Sequence, residues 1–281
     1  MSDVSYPPQR QLSIGEVLDL SFRIYRATLV KCLLFAGCGV ITGQLANIYT
    51  LFKGGARMPA GAGFDQLLAR MRDPQIWVLY IVGGVLTAVF YAAVLLRQRA
   101  MIGDAALGGE VAAALRRVPA LVGFGLLVML GCVACFVPAF LSSGTVRGLF
   151  ILAGVIALCY GFVAISCAQT LLFIEGTGPA ASLARSFRLT SGSFWRLSAI
   201  YTVALVILIA LYAVSAALAG FLAGVLGRGD VAMVTAFAEV VGVVLGALAT
   251  PFYGALALAV LADLKIRKEG ADLEQRISAT A

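Results

Sequence analysis

Apolar residues dominate six stretches of the chain, at about 29–52, 75–97, 119–141, 148–174, 197–226 and 233–262, and charged residues collect between them. A helix needs roughly 20 apolar residues to cross a hydrocarbon core of about 30 Å. The pattern therefore predicts six transmembrane helices. The last two runs are long enough to tilt or to extend past the hydrocarbon.

Shorter amphipathic stretches precede the odd-numbered runs. They read Ser21-Phe22-Arg23-Ile24-Tyr25-Arg26, Ala114-Leu115-Arg116-Arg117-Val118-Pro119 and Ser186-Phe187-Arg188-Leu189-Thr190-Ser191. An interfacial helix followed by a transmembrane hairpin, used three times in parallel, is the expected unit. Ser13 and Glu16 have the spacing of a capping box, which starts the first such helix. Glu16, Asp19, Arg23 and Arg26 then share one face, and Ile14, Val17, Leu18 and Tyr25 another. Residues 13–27 and 179–190 are expected to lie along the headgroups at a steep angle to the spans, apolar face down. Gly192 marks a stop before the fifth span, whereas nothing between Arg26 and Leu29 forces one. The expected division is a cytoplasmic segment at 1–28, a membrane domain at 29–264 and a cytoplasmic tail at 265–281.

Composition agrees with this pattern. Of 281 residues, 61% are hydrophobic and 12% charged, against about 45–50% and about 25% in soluble domains. The fold class that follows is an all-α integral membrane protein. No apolar core of a cleavable signal peptide is visible in the first 28 residues, so the first run is expected to stay as an anchor.

The chain holds 21 Lys and Arg and a net charge of +7. Fifteen of these cations flank the runs on the side of both termini: Arg10, Arg23, Arg26, Lys31, Arg97, Arg99, Arg116, Arg117, Arg185, Arg188, Arg196, Lys265, Arg267, Lys268 and Arg276. The opposite side has six: Lys53, Arg57, Arg70, Arg72, Arg147 and Arg228. The richer side is expected to be cytoplasmic, with both termini there and the protein in a bacterial inner membrane. Charge placed at the ends of apolar runs faces anionic lipid headgroups rather than nucleic acid. Arg23, Arg26, Arg185, Arg188 and Trp195 form the candidate docking surface for such lipids or for a protein partner.

Histidine is absent. That excludes His-based triads, His-ligated metals and His general bases. No phosphate-binding glycine loop or nucleophile elbow is present, and no extramembrane segment is long enough for a catalytic domain. No enzyme and no cofactor are expected. The six cysteines all lie in apolar runs. Cys132 and Cys135 have C-x-x-C spacing but lack further ligands beside them, so they read as small packing residues.

Candidate functional residues lie inside the spans. Glu239 is an intramembrane acid, either functional in transport or structural in an interfacial or paired setting. Helical spacing puts it on the side of Gly242 and Gly246. Pro251 interrupts the same helix, as a hinge beside a pathway or as a packed kink; Pro138 reads the same way. Gln44, Asn47 and Gln169 either line a polar pathway or bond across helices. Gly39-x-x-x-Gly43, Gly220-x-x-x-Gly224 and Gly242-x-x-x-Gly246 allow close helix approach.

Three segments together, Leu12–Arg26, Glu175–Arg196, and Pro251 followed by Asp263–Glu274, resemble bacterial membrane proteins related to the membrane domain of glycerophosphoryl diester phosphodiesterases. Some members of that family carry a catalytic domain that uses histidines and a metal, and this chain has neither. The resemblance implies a stand-alone membrane domain that supports a partner or a lipid-linked process. Two functional readings stand: a non-catalytic scaffold or support protein, and a small-molecule or lipid carrier with a polar pathway near Glu239 and Pro251.

Overall fold

The computed structural model describes residues 6, 8, 10–53, 73–103, 107–226 and 231–280; the side chains of 51, 219, 222, 223, 226, 231–239 and 271–280 fall outside that description. Ten helices form among the described residues, and no strand. They are α1 (Ile14–Gly43), α2 (Leu45–Phe52), α3 (Pro74–Ile102), α4 (Glu110–Arg116), α5 (Val118–Phe140), α6 (Gly144–Ala164), α7 (Ala168–Ile174), α8 (Pro179–Thr190), α9 (Phe194–Leu226) and α10 (Val231–Thr280). Six helical stretches are long and apolar enough to cross a membrane: α1, α3, α5, α6 with α7, α9, and the Val240–Gly270 part of α10. The protein is an all-α polytopic membrane protein.

The local signals act where expected. Ser13 caps α1 by accepting from the Glu16 amide at 3.3 Å, and Glu16 accepts from the Ser13 amide at 2.7 Å. Asp73 caps α3 ahead of Pro74, accepting from the Gln75 amide at 2.9 Å. Gly192 takes φ +76°, a left-handed turn that a side chain disfavours, and it separates α8 from α9.

The first interfacial helix is a correction. α1 runs without a break from Ile14 through the expected boundary at 28 to Gly43. Its buried stripe of Val17, Ser21, Ile24, Thr28, Cys32, Ala36 and Gly39 keeps one helical phase throughout, so one packing surface holds both halves in line. The amphipathic half is not laid apolar face down on lipid. Val17 belongs to a core with Leu171, Leu189, Leu197, Ile200, Phe252, Leu256 and Leu264, against which Leu18, Phe22 and Tyr25 also pack. The helix stops at Gln44 rather than near 52. The third amphipathic stretch lies in a separate helix, α8, whereas the second straddles the end of α4 and the start of α5, with the break at Arg117. Span four is broken, because residues 165–167 leave the helix between α6 and α7.

Glycines bring α1, α3 and α10 together. A Cβ on Gly39 would sit 3.2 Å from the Phe90 Cβ, one on Gly83 2.7 Å from the Thr42 carbonyl oxygen, and one on Gly246 3.0 Å from Val40. Small residues let backbones approach this closely in lipid. The glycine pair in α1 and Gly246 thus make contacts within one chain. A Cβ on Gly220, Gly224 or Gly242 would meet nothing among the described residues. On α5 and α6, Leu130, Val137, Leu152 and Ile156 are all exposed and form an apolar outer face suited to lipid.

Candidate functional site

A groove of about 610 Å³ opens among α1, α3, α7 and α10. Phe35, Gly39, Val40 and Gly43 line it from α1, and Tyr80, Gly84, Thr87, Ala88 and Tyr91 from α3. Gln169 on α7 and Thr250 and Tyr253 on α10 complete the lining. The spacing of 80, 84, 87 and 91 places those residues on one face of α3. A Cβ on Gly84 would meet nothing within 4 Å, so that glycine hollows the groove rather than tightening a contact. The lining is mostly apolar and contains no charged side chain.

The polar groups of the lining divide into two kinds. The Thr87 hydroxyl donates to the Gly39 carbonyl at 3.0 Å and the Thr250 hydroxyl to the Gly246 carbonyl at 2.7 Å. Among the described residues, the Gln169 amide and the Tyr80, Tyr91 and Tyr253 hydroxyls make no hydrogen bond.

The wall that carries Gln169 is held at both ends. At the break in span four, the Ser186 and Thr190 hydroxyls of α8 both donate to the Ala164 carbonyl, at 2.7 and 3.2 Å. At the other end of α7, Arg117 donates to the Leu172 carbonyl at 3.1 Å. Its guanidinium lies over Gly176, at φ +74°, where any Cβ would overlap it. Glu175 then pairs with Arg185 and Lys265.

Beneath the groove, toward the end of α3 that carries Arg97 and Arg99, Gln98 joins three helices. Its side chain is fully buried, and Nε2 donates to the Pro251 carbonyl at 2.7 Å and to the Thr28 hydroxyl at 3.2 Å. Its Oε1 accepts no hydrogen bond and abuts Gly254 where a Cβ would stand. Beside it Arg97 binds Glu110 at 3.1 Å, donates to the Lys31 carbonyl at 3.0 Å, and stacks 4.3 Å from the Phe35 ring centroid. Burial works to raise the Glu110 carboxyl, but the Arg97 hydrogen bonds and the Gly108 amide outweigh it and hold it below the usual carboxylate range.

A second charged centre ties the N-terminal segment to the bundle. Asp263 on α10 is 1% exposed. It accepts from the Leu12 amide at 2.8 Å, from Arg267 at 3.0 Å and from Arg196 at the start of α9. Both arginines also donate to the Leu12 carbonyl. The backbone of Leu12, through both its amide and its carbonyl, is thereby clamped between two helices.

The structure sorts the residues singled out in the sequence. Gln169 lines the groove, and buried Pro251 lies next to its lining residue Thr250. Gln44 and Asn47 do not line it. Asn47 donates to Gln44 at 2.6 Å where α1 gives way to α2. The backbone of Glu239 lies in α10, but its side chain falls outside the described residues. Arg23, Arg26, Arg188 and Trp195 are exposed, whereas Arg185 is taken up by Glu175 and Glu269. Gln98, Asp263, Tyr91 and Tyr253 were not anticipated. Gln98 sits between two arginines and Asp263 two residues before a lysine, so both look like solvated span ends.

The chain matches no protein-family model, no curated protein and no solved structure.

Proposed function

We propose that this chain is a non-catalytic protein of the bacterial inner membrane, with both termini cytoplasmic, that holds a hydrophobic molecule between its spans in support of a lipid-linked process. The observation that carries this reading is the groove, with its apolar lining and unspent hydrogen-bonding groups. Both features fit an amphipathic occupant, and the likeness to the glycerophosphoryl diester phosphodiesterase membrane-domain family agrees with a supporting role. Arg23, Arg26 and Arg188, exposed and without ion pairs among the described residues, suit contact with anionic headgroups, and Trp195, exposed at the start of α9, suits the interface.

The test is ligand retention. Protein purified in mild detergent is extracted with solvent and the extract analysed by mass spectrometry. Wild-type protein is expected to carry a stoichiometric hydrophobic molecule. Gly84→Phe, which fills open space, is expected to lose it while keeping its thermal stability. Equal retention by both proteins counts against the groove.

A carrier is the second reading. It is favoured by the break at residues 165–167, which leads into the groove-lining helix α7; discontinuous helices commonly build transporter sites, although α10 runs unbroken through Pro251. Flux of the retained molecule across proteoliposomes, abolished by Gly84→Phe, distinguishes a carrier from a holder.

A further inference from the structure

We infer that the part of the ligand seated in the groove carries an uncharged, oxygen-bearing polar group, as in a diacylglycerol-like neutral lipid, and that Gln169, Tyr91 and Tyr253 recognise it. This rests on the reading of the groove as a ligand site and specifies what enters it.

Depth is the first reason. The outer stripe of α1 passes from exposed Arg23 and Arg26 to Val30 and Leu34, exposed at 83% and 70%. Lys31 is exposed one residue further on, so the hydrocarbon begins past it, on the turn of Leu34. On α1 the groove runs from Phe35 to Gly43, and Val40 lies nine residues past Lys31, roughly 13 Å along the helix at about 1.5 Å per residue. Arg97 stands over Phe35 at the shallow end, but a phosphate at the depth of Val40 would need a counter-ion, and the lining residues supply none.

Hydrogen bonding is the second reason. Thr87 and Thr250 are committed to backbone carbonyls. Gln169, Tyr91 and Tyr253 are not, among the described residues, and Tyr253 is 44% exposed. A polar group with no partner in an apolar site is costly. The Gln169 amide donates and accepts, and the two phenols donate or accept. A hydroxyl or ester carbonyl oxygen answers this set, and a bare alkyl chain does not. Gln169 also has the firmest support, because Ser186 and Thr190 hold the end of α6 before the break that leads into α7, and Arg117 holds the far end of α7.

The experiment uses full-length protein in phosphatidylcholine nanodiscs doped with photoactivatable diacylglycerol or, separately, photoactivatable phosphatidic acid. These two probes differ by the phosphate. Saturable labelling by the diacylglycerol is expected to exceed that by phosphatidic acid. Gln169→Leu is expected to weaken it about tenfold, the value of one hydrogen bond of ordinary strength. Tyr91→Phe should weaken it similarly and provides a second variant of near-identical shape. Gly84→Phe should abolish it. If Gly84→Phe abolishes labelling but both probes label alike and Gln169→Leu and Tyr91→Phe bind as the wild type does, neutral-group recognition is overturned and the groove reading survives. If diacylglycerol labelling persists in Gly84→Phe, both are overturned. Absence of labelling by either probe overturns the inference.

Discussion

Replacing Asp263 with alanine is expected to cost about 3–5 kcal/mol of stability, the usual penalty for stranding buried cationic partners. The carboxylate is 1% exposed and answers Arg196, Arg267 and the Leu12 amide together. Without it, two guanidinium groups that are 19% and 27% exposed face one another across the Leu12 carbonyl with no counter-charge. Asp263→Asn keeps an acceptor for Leu12 and should cost less. Unfolding in mixed detergent and denaturant measures all three proteins. The double variant Asp263→Ala with Arg196→Ala should be less destabilised than the sum of its single changes, by about 1 kcal/mol or more. Strict additivity would mean that the cluster does not act as a unit.

Gly254→Ala is the second large effect, expected at about 2–4 kcal/mol from overpacking and lost hydrogen bonds. The new methyl would occupy the position of Gln98 Oε1. A long side chain can often swing aside, but Gln98 is fully buried and its Nε2 holds the Pro251 carbonyl and the Thr28 hydroxyl. Moving it breaks the only hydrogen-bonded junction through which one side chain joins α1, α3 and α10 among the described residues. Adding Gln98→Ala to Gly254→Ala relieves the overlap, so the second change should add less than its own separate cost. The comparison needs the melting temperatures of the two single variants and the double.

The spans were legible because lipid imposes a simple demand on each of them, a long apolar run with charges at its ends. The caps at Ser13 and Asp73 and the stop at Gly192 act through neighbours in sequence, and local reading suffices for such features. Reading failed where packing decided the outcome. Residues 13–27 have the charge pattern of an interfacial helix, yet α1 runs on because the stripe from Val17 to Gly39 never changes phase. That continuity is present in the sequence and was the stronger signal. Gln44 and Asn47 read as lining a polar pathway or bonding across helices, but they bond to each other where α1 ends.

The groove was less accessible to sequence. Phe35, Tyr91, Gln169 and Tyr253 come from four helices, and nothing in one sequence says which helices adjoin. Gln169 stood out because it is polar within an apolar run. Tyr91 and Tyr253 did not, because a tyrosine in a span is as easily a lipid-facing anchor. Gln98 and Asp263 were hidden by their charged neighbours, since exposure alone separates a solvated span end from a buried junction.

Site-specific photo-crosslinking from position 84 in intact bacterial membranes tests the intramembrane ligand most directly. A small diazirine-bearing residue in place of Gly84 points into open space within the groove. The expected product is the intact chain increased by the mass of one lipid-like molecule, with the same adduct diminished by Gln169→Leu. A crosslink from position 84 to another polypeptide, with no lipid adduct, would contradict the account and make the groove a seat for a partner's helix.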